Sequence, residues 1–218
     1  MAGALKPLGA GFFPLISRVA TGLGTSLDEG VMVRVAGWLD LLVTWNAKVD
    51  LTAARTSEEL VDLMLADALV LARHEALGAR VVDVGSGAGG PGLALHLVRP
   101  DLAMTLVEPL QKRVSFLRTV TGQLGPRPGS PPVRVLRARG EEVMHSESPF
   151  DTAVARATLA PEEWLAFGDR LVSEPGAVWV LLAREAPPSR SGWKAVVDER
   201  YPWPLTGAER RAIRYVRS

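Results

Sequence analysis

A doubly wound α/β domain behind a helical N-terminal extension is the fold class this sequence predicts. From residue 80 onward, short β-rich runs alternate with helix-length segments, which implies parallel βαβ crossovers and a sheet covered on both faces. A glycine cluster, "DVGSGAGGPGLAL" at 83–95, stands between the first such run and the first such helix. Before residue 79 the apolar residues recur instead at three- and four-residue steps. The chain therefore divides into a helical extension, 1–78, packed on a core domain, 79–218.

The bulk composition narrows the function classes. With 218 residues, 47% of them hydrophobic, the chain can build the core of one domain. It has no cysteine, which excludes a disulfide framework, a cysteine zinc site and a thiol nucleophile, and fits a reducing cytoplasm. The histidines, His74, His96 and His145, are scattered without carboxylates at ligand spacing, so they read as surface or packing residues and no metal is expected. The opening stretch is broken by Pro14 and Arg18 and has only Lys6 as a basic flank, so it does not read as a secretory leader. No apolar run approaches the roughly 20 residues that span a bilayer. Twenty-five basic against 24 acidic residues leave a net charge of +1, so any nucleic-acid surface must come from local clustering. No apolar stripe is left over, and a monomer is expected.

Each element has its own signal. "SLDE" at 26–29 has the capping-box form and predicts a helix start at Ser26, with Met32, Val35, Leu39 and Leu42 on one face. "TSEE" at 56–59 predicts a second start, with Leu60, Met64 and Leu71 inward. Between them "WNAKVDLTAAR", 45–55, is too polar for core. The strands read as "RVVDVG", "AMTLVE", "VRVLRA", "DTAVAR" and "GAVWVLLA". Helices read as "GPGLALHLVR", "LQKRVSFLRTVTGQL" and "PEEWLAFGDRLV", with "GEEVMH" a short turn. "PRPGSPP" and "APPSRSG" are loops inside the domain, and "ERRAIRYVRS" ends the chain as a last strand with an arginine-rich edge. No internal repeat is present.

The glycine cluster follows a strand and opens a helix, the context a nucleotide-binding loop requires. Gly85, Gly87 and Gly90 satisfy G-x-G-x-x-G. Asp83 stands where dinucleotide-binding strands carry an apolar residue, and an acid before such a loop marks S-adenosylmethionine binding rather than NAD binding. Glu108 ends the next strand about twenty residues on, placed to accept hydrogen bonds from both ribose hydroxyls. The plainer alternatives are that Asp83 caps a helix and that Glu108 solvates a strand end.

These residues and several further motifs resemble one family, ribosomal RNA small subunit methyltransferase G, also called glucose-inhibited division protein B. The matching segments are "WNAKVDLTAAR", "DVGSGAGGPG", "QKRVSFLR" at 111–118, "RGEE" at 139–142, "ARA" at 155–157 and "ERR" at 209–211. They run in order over roughly residues 40–215. The resemblance implies a Rossmann-like class I methyltransferase that uses S-adenosylmethionine to methylate N7 of a guanine in the 530 loop of 16S rRNA, on the RNA or the small ribosomal subunit. Carried over, cofactor contacts fall on Gly85, Gly90, Gly140, Glu141 and Arg156, beside Asp83, Gly87 and Glu108, which the loop and its flanking strands already offer as cofactor residues. Arg156 and Asn46 are the candidate catalytic residues, with an ion pair to Asp151 or Glu185 as the plainer role for Arg156 and core packing as that of Trp45. Lys112, Arg113, Arg118, Arg210 and Arg211, together with Arg214, are candidate RNA contacts, or else a solvated basic face. The chain departs from the family at Leu63 and Met64, where a basic residue and a histidine are usual, and near Arg184, where a Leu-Lys-Gly is replaced. Those departures keep two alternatives open: a small-molecule methyltransferase and a non-catalytic ribosome assembly factor.

Overall fold

The structure, a computed structural model, describes residues 5–147 and 149–218; the side chain of His145 lies outside the described residues. The core is a seven-stranded sheet in the order β3-β2-β1-β4-β5-β7-β6. Its strands are β1 (Arg80–Val84), β2 (Ala103–Val107), β3 (Arg134–Leu136), β4 (Phe150–Ala155), β5 (Val172–Leu182), β6 (Trp193–Pro202) and β7 (Glu209–Arg217). β1 to β5 pair in parallel, while β7 runs antiparallel to both β5 and β6. The order reverses between β1 and β4, which opens a crevice beyond their C-terminal ends, where open α/β sheets take their ligands.

Helices α1 (Phe13–Gly22), α2 (Glu29–Asn46), α3 (Ser57–Val61) and α4 (Asp67–Ala72) precede the sheet. They share one apolar cluster with α5 (Gly92–Val98) and α6 (Gln111–Leu124), in which Trp38, Leu42, Leu65, Leu69, Phe116 and Trp179 are buried. The opposite face of the sheet carries α7 (Gly140–Ser146) and α8 (Pro161–Asp169) over Val82, Ala153 and Val178. Alternation along each strand produces the two layers: Val81 and Val154 face the first cluster, Val82 and Ala153 the second.

Several local expectations are corrected. α2 begins at Glu29, because Asp28 rather than Ser26 caps it, its carboxylate accepting the Val31 amide at 2.7 Å. Thr56 does cap α3, yet Glu59 reaches back to the Arg55 amide at 2.7 Å. α3 then loosens into a π turn, Asp62–Ala66, before α4. "GEEVMH" is a helical segment rather than a turn. β6 is missing from the sequence reading because its residues, in "WKAVVDERYP", are mostly exposed and show no apolar alternation, as suits an edge strand. β6 holds the sheet edge, so the arginines of β7 lie one strand inside it.

Candidate active site

Beyond β1 the chain turns through Gly85 and Gly87 at φ 74° and 54°, a region that favours glycine. The amides of Gly85 and Ser86 both donate to the Val107 carbonyl, at 2.8 and 3.1 Å, tying the loop to the end of β2. From behind, the buried Trp38 of α2 donates its indole N–H to the Ala88 carbonyl at 3.0 Å. The extension thus fixes the loop that the sheet presents.

In front of the loop lies a cavity of about 510 Å³. Gly85, Gly87, Gly90, Glu108, Arg113 and Arg156, all singled out from sequence, line it. Glu108 is buried and accepts the amides of Gly87 at 3.0 Å and Leu110 at 2.9 Å, so its carboxylate stands oriented at the cavity wall. Thr52 and its neighbours close the far side. Asn46 places them: its Oδ1 accepts the amides of Leu51 at 2.9 Å and Thr52 at 3.0 Å, so its side chain acts behind the cavity. Trp45 packs edge-on against Phe116, as core.

Other candidates fall outside this cavity's lining. Asp83 is buried beneath the loop, where one carboxylate oxygen accepts the Gly92 amide at 3.1 Å and the other has no partner among the described residues. Burial pushes its carboxyl up to about 6, against which that amide works. Gly140 starts α7 against Phe167, whose ring a Cβ would approach to 2.6 Å; Glu141 is exposed beside it. Lys112 is exposed, and Arg118 lines a separate cavity with Arg34 and His96. Arg211 is held by Asp198 through two bonds of 2.6 and 2.5 Å, and Arg214 donates to the Ala76 carbonyl at 3.2 Å. His96 packs with Nδ1 at 3.1 Å from the Leu102 carbonyl.

Arg156 stands at the end of β4 and borders a second cavity, about 420 Å³, which shares Leu63, Arg156, Ala157 and Thr158 with the first. Neither Asp151 nor Glu185 pairs with it. Its guanidinium donates to the Leu63 carbonyl of the π turn and to Asp67 at 3.1 Å. Asp67, 2% exposed, also accepts the Tyr201 hydroxyl and the Trp203 indole N–H, each at 3.0 Å. Burial, reinforced by that carboxylate, pushes the Tyr201 phenol up, so it stays a donor. Five residues before Asp67, at the start of the π turn, Asp62 accepts the amides of Leu205 and Thr206 and the Thr206 hydroxyl. Ala157 has φ 53°, an uncommon conformation for a residue with a side chain, and Thr158 beside it donates to the Val84 carbonyl at 3.0 Å. Asp67, Tyr201 and Trp203 were missed from sequence. The available signal was two aspartates inside the apolar run "LVDLMLADALVLA", since a carboxylate in such a run must find buried donors.

The first cavity suits a nucleoside cofactor. Gly87 leaves open space where a Cβ would stand, its nearest atom being the Gly85 carbonyl oxygen at 3.9 Å, and a buried carboxylate with oriented oxygens borders that space.

Comparison with known proteins agrees with this geometry. A family model described as rRNA small subunit methyltransferase G matches residues 33–187. The ribosomal RNA small subunit methyltransferase G of Anaeromyxobacter dehalogenans strain 2CP-C is 32% identical over 217 residues, covering 95% of this chain and 99% of that protein. The protein of the same name from Halorhodospira halophila is 41% identical over 160 residues, 73% of each chain. Among solved structures, yhhF from Escherichia coli, assigned to the methyltransferases, superposes with a TM-score of 0.50 at 16% identity, covering 66% of this chain and 79% of that one. That last likeness concerns the fold.

Proposed function

The chain belongs to the rRNA small subunit methyltransferase G family, and from that premise we propose that it methylates N7 of a guanine in the 530 loop of 16S rRNA. The observation that carries this reading is the pair of cavities meeting at Arg156: one suited to a nucleoside cofactor, the other beside it and open for a base. S-adenosylmethionine, held by the glycine loop with Glu108 at its ribose, supplies an electrophilic sulfonium methyl. Guanine N7 carries an in-plane lone pair that is already a free acceptor, so the acceptor atom loses no proton. The site is built accordingly. Its carboxylates, Glu108, Asp67 and Glu185, all accept hydrogen bonds from the protein and serve as fixed charges rather than as a general base. The task left to the chain is alignment, which accounts for up to roughly 7–11 kcal/mol of barrier in well-oriented systems. Arg156, held from two sides, positions the acceptor at the shared wall; Asn46 positions the loop that closes the cofactor side. The target base is unstacked from its loop to enter. Lys112 and Arg113, at the start of α6, contact RNA phosphate. The protein works as a cytoplasmic monomer, without metal.

The test is transfer of labelled methyl from S-adenosylmethionine to small-subunit RNA from a strain lacking this activity, with borohydride and aniline cleavage locating the product. Cleavage at one guanine of the 530 loop supports the reading. Intact cofactor binding without transfer overturns it in favour of a small-molecule acceptor or an assembly role.

A further inference from the structure

The second cavity contains more than Arg156. Arg210 lies with its guanidinium carbon 3.7 Å from the centre of the Trp203 indole, a stacked arrangement at the cavity wall. The indole is itself fixed by its N–H bond to Asp67. A guanidinium backed by an aromatic ring offers its outer plane to a nucleobase, since bases stack on arginine planes as they do on aromatic rings. On the same cavity, Glu185 accepts the amides of Ala183 at 2.7 Å and Arg184 at 3.0 Å. Amides at the turn, its own included, hold that carboxyl below the usual range, and the charge of Arg210 adds to the effect. Glu185, oriented by backbone amides, and the Arg210–Trp203 pair therefore line one cavity.

Resting on the guanine-N7 reading, we infer that this cavity is the acceptor-base pocket, in which Arg210 on Trp203 stacks the purine and Glu185 reads its N1–H and exocyclic N2–H. The purine's shape supports the assignment. N7 and the N1/N2 edge lie on opposite sides of the ring system, so N7 at the wall shared with the cofactor cavity turns the N1/N2 edge away from it. Arg156, at the shared wall, is placed for O6, which neighbours N7. Guanine gives a carboxylate two donors along that edge, whereas adenine presents an unprotonated N1 and is rejected. The same carboxylate favours the positive charge that the ring acquires when N7 becomes alkylated. Arg210, one of the residues read from sequence as a phosphate contact, acts here through its plane.

The experiment uses the full chain and small-subunit RNA carrying either guanine or inosine, which lacks the exocyclic amine, at the target position. Single-turnover methyl transfer and cofactor affinity are measured for the wild type, Glu185→Ala, Glu185→Gln, Arg210→Ala and Arg210→Lys. The wild type is expected to favour guanine over inosine about 10-fold or more, as hydrogen bonds to a charged group allow. Glu185→Ala should lose about 10- to 100-fold with guanine and treat the two bases alike, with cofactor affinity kept. Glu185→Gln, which preserves shape, should also lose the preference. Arg210→Lys, which keeps charge without the plane, should fall as far as Arg210→Ala. An unchanged guanine-to-inosine ratio in the Glu185 variants, or wild-type transfer by Arg210→Lys, overturns the pocket assignment while leaving the guanine-N7 reading intact. Absence of wild-type transfer to the guanine RNA overturns that reading itself.

Discussion

The two cavities that meet at Arg156 are built in opposite ways. The cofactor side is mostly local: a strand end, a glycine turn and the carboxylate of the next strand come from residues 83–108, and backbone amides do most of the holding. The acceptor side is assembled from afar. Asp67 of the extension, Arg156 of β4 and Tyr201 and Trp203 of the terminal hairpin converge on one buried carboxylate, from as much as 136 residues apart. The contrast teaches that a cofactor loop is a local motif that many acceptors can share, while the acceptor pocket is a product of the tertiary fold.

The largest expected effect tests that convergence. Asp67→Ala removes the acceptor of a buried phenol and a buried indole N–H together with one of the two acceptors of the part-buried Arg156 guanidinium, and breaking a buried pair on one side costs about 3–5 kcal/mol. Urea denaturation should show a loss of that size. Asp67→Asn, which keeps acceptors in place, should lose less stability yet still slow methyl transfer by misplacing Arg156. A loss below 1 kcal/mol for Asp67→Ala would mean that the acceptor side holds without this hub.

The cofactor side responds to a change of pH. Burial raises the Asp83 carboxyl to about 6 in the folded chain, above its ordinary value of 3.8. The folded state therefore binds more protons than the unfolded one between those values, and its stability falls as pH rises through that window. The stabilising contribution is complete below the ordinary value and gone above about 6. A shift of two units corresponds to roughly 3 kcal/mol. Asp83→Asn should abolish this part of the pH dependence, measured as the difference between the two urea-unfolding profiles at pH 4 and pH 7. Parallel profiles would show that Asp83 is solvated or already paired.

Two glycines of the loop separate its shape from its ligand. Gly85→Ala, at a φ of 74°, puts a methyl into Thr158, two residues after Arg156, so that side chain must shift. Gly87→Ala at φ 54° meets no protein atom closer than 3.9 Å, so the fold loses only the left-handed penalty of about 1–2 kcal/mol. Calorimetry should find Gly85→Ala the less stable of the two, while Gly87→Ala loses cofactor affinity beyond its loss of stability. The reverse order would place the ligand on the other side of the loop.

These effects also mark what was legible in the sequence. The order of strands and helices, the glycine turn and Glu108 were readable because each depends on neighbours within one βαβ unit. Asp83 was read as a cofactor residue, and the fold gives it the amide that opens α5. The π turn at 62–66 was invisible, since its residues continue the helical pattern and only the Leu63 carbonyl meeting Arg156 reveals why the ladder opens there. β6 carried no apolar alternation because one edge of the sheet faces solvent. Trp203 stands in none of the motifs, and nothing in the spacing of 67, 156 and 203 announces that the three side chains meet.

The smallest expected effects concern the basic residues, and they separate charge that is committed from charge that is open to RNA. Arg211 commits two of its three guanidinium nitrogens, Nε and Nη2, to Asp198, whereas Arg113 lines the cofactor cavity beside Leu110 and makes no hydrogen bond to a described residue. Each phosphate contact on single-stranded RNA adds roughly 0.7 to the slope of log affinity against log salt. Filter binding across a salt series should show Arg113→Ala, and likewise Lys112→Ala, lowering that slope by about one contact, while Arg211→Ala leaves it unchanged. If Arg211→Ala lowers it as much, the pair with Asp198 opens on binding, and the hairpin of β6 and β7 tracks the RNA backbone as well as walling the acceptor pocket.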